Sequence, residues 1–229
     1  MTSMHTVTTA PRRIYHSDKQ AQRDANILEV TRKALAERGY DGVTMNALAA
    51  EAGVTKRTLY NLYGDKDRLL HAAVGEVIAR YRSSEGNIEP GIPALIESRR
   101  TAVAEVIATP AYSDAMTRAL VQTPADHPLT QALLRDSIEY TAGHLTAAQQ
   151  QGELQSTLTI ERIAQQIVSQ GWGMVVLRMK GLLANVEFQT ASLEGLLLLC
   201  IGVTCGHRRE ALTVEFEELT QHSIGRTGT

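Results

Sequence analysis

The residues best able to do chemistry in this chain lie close together. Thr55, Lys56, Arg57, Thr58, Tyr60 and Asn61 gather cations, hydroxyls and an amide, with Lys66 just beyond and Thr44 and Asn46 just before. Cations and hydroxyls suit phosphate oxygens, and a lysine, arginine or amide can read base edges in the major groove of DNA. No comparable set points to hydrolysis, group transfer or metal binding. The sequence has no nucleophile elbow, no Gly-rich phosphate loop and no paired metal-ligand motif, and its seven His are scattered, so no catalytic residue, metal or cofactor is expected.

Those side chains need rigid elements behind them, and the pattern supplies two short helices joined by a turn. In Thr44 to Tyr63, TMNALAAEAGVTKRTLYNLY, Leu48, Ala49 and Ala52 share one small apolar face, and Thr44 is placed to cap it. Gly53 tolerates the left-handed geometry that ends the first helix, Val54 anchors the turn and Thr55 caps the second. Leu59 and Leu62 then point inward by spacing and leave Lys56, Arg57, Thr58, Tyr60 and Asn61 outside, which is a helix-turn-helix signature. A solvated helical hairpin is the plainer alternative, but such a surface has no need of Tyr60 or of hydroxyls and amides beside its charges.

Composition agrees with a folded, mostly helical chain of 229 residues, 43% of them apolar. Its net charge of −2 argues against indiscriminate nucleic-acid binding, but the charge is uneven. Residues 1–70 carry 11 Lys/Arg against 8 Asp/Glu, and the rest carry 12 against 17. A basic head on an acidic body has the sign expected of a DNA-facing module. Cys200 and Cys205 fall about 140° apart on a helix and suggest buried free thiols rather than a disulfide or metal site. The strongest apolar run, Leu196 to Val203, is shorter than the roughly 18 residues a membrane span requires, so a cytoplasmic protein without membrane contact is expected.

Taken in order, residues 1–17 lack hydrophobic periodicity and read as a flexible arm, with Arg12 and Arg13 available to solvent or to a minor groove. Asp18 to Arg38 reads as a helix with one buried stripe, stopped by Gly39. After Tyr63, Gly64 ends the second helix of the motif and Asp65 can cap a helix with Leu69, Leu70 and Ala73 on its apolar side. Arg82 to Pro93 is turn-rich, and helical segments follow at about 94–108, 112–122, 129–152, 160–181 and 190–212. The fold class is all-α: an arm (1–17), a helix-turn-helix domain (18–70) and a larger helical domain (71–229).

The stretch GVTMNALAAEAGVTKRTLYNLYGDKDRLL resembles the DNA-binding domain of the tetracycline-repressor (TetR) family of bacterial transcriptional regulators. The resemblance covers roughly residues 20–75. It rests on the Thr that opens the second helix, Ala-x-x-Ala-Gly-Val into the turn, Thr-Leu-Tyr, the following aromatic-Gly pair and a Lys two places on. Leu62 and Arg57 depart from the usual pattern. The resemblance implies that Thr44 and Lys66 clamp phosphates on either side of the groove, with Thr58 and Tyr60 adding backbone or thymine-methyl contacts. Lys56 and Arg57 are then the candidates for base readout, and Asn46 can reach a base or a phosphate. It further implies a homodimer on a near-palindromic double-stranded DNA operator, released by a small-molecule effector held in the helical body.

For the body, residue types and spacing are the only guide. Ile163, Ile167 and Gly171, with Leu193, Leu196, Leu197, Cys200 and Ile201, follow helical spacing on the last two long segments and are expected at the dimer interface. Arg99, Tyr112, Met116, Tyr140, His144, Trp172 and Met179 are expected to line a pocket for a small apolar or aromatic effector, since such sites combine aromatic and flexible apolar walls with a few polar anchors. Three alternatives remain open: control by a protein partner, control by cysteine oxidation, and a helical enzyme or carrier with a vestigial helix-turn-helix.

Overall fold

The computed structural model describes residues 12–83 and 88–224, and these are helical apart from turns and one isolated antiparallel bridge between Leu154 and Thr204. The head comprises α1 (Arg12–Arg38), α2 (Met45–Glu51), α3 (Lys56–Tyr63) and the start of α4 (Lys66–Ser83). The body adds α5 (Ile92–Ala108), α6 (Pro110–Gln122), α7 (Pro128–Thr130) and α8 (Asp136–Gln150), the last two joined by a π-turn over Gln131–Arg135. It is completed by α9 (Ile160–Met179), α10 (Asn185–Val203) and α11 (Gly206–Ile224).

Two boundaries differ from the sequence reading. Helix α1 begins at Arg12, so residues 12–17 extend it where an arm was expected; residues 1–11 lie outside the described residues. The segment expected as one helix over 190–212 is two. Thr204 turns the chain at the end of α10, its hydroxyl donating to Cys200 O at 2.8 Å, and Gly206 opens α11 at φ +55°. Residues 153–155 brace that corner: Gln155 N–H donates to Val203 O, and Cys205 N–H to Glu153 O, both at 2.8 Å.

The head's core is continuous with part of the body. Ile27, Leu35, Leu48, Leu59, Leu69 and Leu70 pack in one apolar cluster with Met116 and Ala119 of α6, and with Leu129 and Leu133. Helix α1 lies against α6 as well as α4, and α4 itself packs against α5 and α7 of the body as well as α1 and α3. A second cluster joins α5, α8, α9, α10 and α11 around Ile92, Leu145, Ile167, Leu196 and Leu197.

Helix α10 is apolar beyond the run from Leu196 to Val203. Averaged over 18 residues its mean hydropathy is 1.5, long and apolar enough to cross a membrane by length and composition. It contains Glu187 and Glu194, and it packs against α5, α9 and α11 as a core helix of the body.

Candidate DNA-binding head and body cavity

Local chemistry fixes the head's geometry. The Thr44 hydroxyl accepts from Ala47 N–H at 3.3 Å, and the Thr55 hydroxyl accepts from Thr58 N–H at 3.1 Å, each capping its helix. Between them Gly53 sits at φ +67°, and Val54 N–H reaches Ala49 O at 2.9 Å, closing α2 as a Schellman turn. Two contacts clamp the motif onto α1. Arg38 forks onto Glu51 at 2.6 and 2.9 Å, and the Asn26 amide donates to Ala52 O at 3.1 Å, satisfying a carbonyl that the end of α2 leaves open.

With Leu59 wholly buried, α3 presents Lys56, Arg57, Tyr60 and Asn61 to solvent, and Thr44 and Asn46 stand exposed at the start of α2. Tyr60 keeps 44% of its surface exposed, and the Lys56 ammonium lies 5.7 Å from the centre of its ring. The first turn of α3 holds two cations and no acid. That opposes the helix dipole, a cost offset where an anion lies against the same end. Thr58 is less free than its neighbours, because its hydroxyl lies 2.8 Å from that of Thr55.

Lys66 is placed differently from the expectation of a free phosphate clamp. Its ammonium donates to Tyr40 O at 3.3 Å and sits 4.0 Å from the centre of the Tyr40 ring, while Asp67 in the same turn offsets its charge against the dipole. Tyr40 is also where the head meets the body. Its hydroxyl donates to Asp67 Oδ1 at 2.6 Å and lies 2.8 Å from His127 Nε2. His127 Nδ1 accepts from Leu129 N–H at 3.2 Å, which places the imidazole hydrogen on Nε2, donating to Tyr40. Burial, then the bond to Asp67, raise the Tyr40 pKa and keep its hydroxyl protonated.

The body holds a partly open cavity of about 230 Å³ among α4, α5, α6, α8, α9 and α10. Arg99, Tyr112, Met116, Tyr140 and Trp172 line it, whereas two other residues expected there do not. His144 is buried beside it with its Nδ1 accepting from Gly91 N–H at 3.2 Å, and Met179 lies at the end of α9. Sequence reasoning missed Ser98, Ser137, Thr141, Phe188 and Ser192. The signal available was small polar residues recurring on the inner faces of α5, α8 and α10, where a closed apolar core would carry aliphatic ones.

The residues expected at the dimer interface are mostly interior to one chain. Ile163, Ile167, Leu193, Leu196, Leu197 and Cys200 are each covered to 4% exposure or less by their own subunit, and Ile167, Gly171 and Leu196 line the cavity. Their periodicity was that of the subunit core, because α9 and α10 are clasped by α5, α8 and α11. Of that set Gly171 and Ile201 are half-exposed; Ile201 lies one helical turn from Leu198, which stands open to solvent on α10 as Val214 does on α11.

Among the described residues no three His, Cys, Asp or Glu side chains are grouped as a metal site. A capped α2–turn–α3 pair that exposes cations, an aromatic and an amide is the geometry of a helix-turn-helix DNA-binding unit. Residues 27–73 match the family described as bacterial regulatory proteins, tetR family. An HTH-type transcriptional regulator of Bacillus subtilis (strain 168) is 42% identical over 65 residues, which cover 28% of this chain and 34% of that relative; the chain thus aligns with about a third of its length. Another from Mycobacterium tuberculosis (strain ATCC 25618 / H37Rv) is 29% identical over 147 residues, 58% of this chain and 70% of the relative. In three dimensions the fold is similar to the full-length TetR regulator TylP of Streptomyces fradiae, with a TM-score of 0.68 at 19% identity, covering 90% of this chain and 99% of that one. Residues 27–73 thus form a DNA-binding head of the tetR-family type, and the helical fold around it is similar to that of solved TetR regulators.

Proposed function

We propose that this chain is a cytoplasmic transcriptional repressor that binds a near-palindromic operator as a homodimer and releases it when a small molecule occupies the body cavity. Helix α4 carries the reading. It starts at Lys66 beside the exposed face of α3, and two turns later Val74 packs in the head's core and lines the cavity. A ligand against Val74 therefore pushes on the element that carries the head, and the Tyr40–Asp67–His127 contact gives the body a second hold on the start of α4. Such a ligand shifts DNA binding only by its differential affinity for the two head positions.

In this reading Lys56 and Arg57 read bases, while Thr44, Asn46, Thr55, Thr58, Tyr60, Asn61 and Lys66 contact the backbone or neighbouring groups. Lys66 leaves Tyr40 to do so. The two-fold axis runs beside the outer faces of α10 and α11, where Leu198, Ile201 and Val214 await a partner. Oxidation of Cys200 is a poor trigger: its thiol is fully buried, and burial pushes its pKa up to about 12. The test is a mobility shift with the promoter region beside the protein's own gene. One saturable, sequence-selective complex containing two chains is expected; equal affinity for unrelated DNA contradicts the reading.

A further inference from the structure

The cavity is not uniformly apolar. Arg99 on α5 reaches across to α9 and α10, donating from Nη1 to Gln170 Oε1 at 2.6 Å and to Ser192 O at 3.4 Å, and from Nη2 to Ile167 O at 3.0 Å. Every one of these acceptors is neutral. Among the described residues no carboxylate pairs with the guanidinium, and none lines the cavity. The remaining candidate for a counter-charge is the Cys200 thiol, which burial holds in its neutral form at physiological pH. The site therefore carries a cation and no anion.

The surroundings keep that cation in place and leave it capacity. Gly171 lines the cavity beside it, and a Cβ there would stand 2.9 Å from Arg99 Nη2. Gly195 on α10 likewise makes room for Gln170, whose amide nitrogen a Cβ would meet at 2.2 Å. An alanine at either position would displace the fork. Of the five N–H groups of an arginine, the three bonds leave Nε–H and one Nη2 hydrogen. Ser192, 1% exposed and on the cavity wall, holds a hydroxyl with no hydrogen-bond partner. Around these polar groups the wall is apolar and aromatic, with Leu133, Val168, Trp172 and Phe188.

We propose that the effector is an amphipathic monoanion, a carboxylic acid whose carboxylate takes the free edge of Arg99 and the Ser192 hydroxyl while its hydrocarbon or aromatic body packs against Trp172 and Phe188. The proposal rests on the reading of the cavity as the effector site and adds a charge to the apolar or aromatic ligand expected from sequence. A planar fork with unused donors matches a carboxylate, and such charge-assisted bonds are strongest where water is scarce. An apolar ligand would leave both the cation and the Ser192 hydroxyl unanswered.

Trp172 is the only tryptophan in the chain and lines the cavity, so its emission reports occupancy. The full-length protein is titrated with octanoate, octanol and octylamine, and with phenylbutyrate and phenylbutanol. At least one acid should give a saturable change, with affinity roughly tenfold to a hundredfold above its alcohol, the range of one charge-assisted hydrogen-bonded pair. Arg99→Met should remove that preference while still binding the alcohol, and Ser192→Ala should reduce it. Unfolding curves confirm that each variant is folded, and Arg99→Lys, which keeps the charge without the fork, should retain part of the preference. Equal binding of acid and alcohol overturns the proposal, as does an undiminished preference in Arg99→Met or no response to either acid. Operator mobility shifts run in parallel separate the two ideas. Release of DNA by the alcohols alone leaves the regulator reading standing and sinks the anion. Failure of the unliganded protein to select any operator sinks the regulator reading, whatever the titration shows.

Discussion

Replacing Arg99 by methionine should make the empty protein more stable while disabling its ligand site. Burial pushes the Arg99 pKa down from 12.5 to about 10. At about 1.36 kcal/mol per unit, holding the charged form in this setting costs up to roughly 3 kcal/mol. Arg99 keeps some accessible surface, so we expect a gain of about 1–3 kcal/mol for a methionine of similar reach, which fills the same space without a charge. The sign follows from proton binding. The folded-state pKa is depressed, so stability is highest above the unfolded value and falls as pH drops from 12.5 through about 10; at neutral pH the whole cost is in place. Urea unfolding at fixed protein concentration measures this. The midpoint should rise with an unchanged slope, and the thermal midpoint should move up by about 2–4 °C per kcal/mol for a chain of this size. A loss of more than about 1 kcal/mol in Arg99→Met would refute the reasoning. It would mean that the bonds to Gln170, Ile167 and Ser192 hold α5, α9 and α10 together by more than the buried charge costs.

Three further outcomes follow from named contacts. Thr55→Ala removes the cap of α3 and the partner of the Thr58 hydroxyl, and should cost about 1 kcal/mol in urea unfolding and weaken DNA binding further by loosening the start of α3. Tyr40→Phe deletes the hydroxyl between Asp67 and His127; it should cost about 1 kcal/mol and decouple the body, so that operator affinity changes less between empty and effector-bound protein, measured by mobility shift. Alkylation of the native protein followed by mass spectrometry should modify Cys205, which is half-exposed, far faster than Cys200, whose thiol is buried and protonated.

The head was legible because its signals are local. Thr44, Gly53, Thr55 and Gly64 each act within four residues of their own position, so spacing alone locates both helices and the turn. The body was legible only as a set of helices. A break such as that at Thr204 depends on a strand-like contact with residues 153–155, about fifty positions away, which periodicity cannot report. Apolar spacing on α9 and α10 likewise gives a buried face but not what buries it, and residues expected to meet a second subunit instead meet α5, α8 and α11. Lys66 shows the same limit at the scale of one side chain. Its position in sequence suggested a phosphate, while its nearest neighbours in space are the ring and carbonyl of Tyr40. Residue type placed Arg99 in the pocket set, but its lack of a counter-ion is a fact about three helices at once.

The measurement that bears most directly on the account is operator binding by the exposed face of α3, compared across single-base variants of the promoter site and across salt concentrations. Lys56→Ala and Arg57→Ala should each relax preference at particular base pairs, at about 1–3 kcal/mol for a lost bidentate contact. Lys66→Ala should instead weaken binding to every sequence and lower the salt slope by about one. If all three substitutions act equally on every sequence, or none alters binding, then α3 does not read DNA in the way proposed.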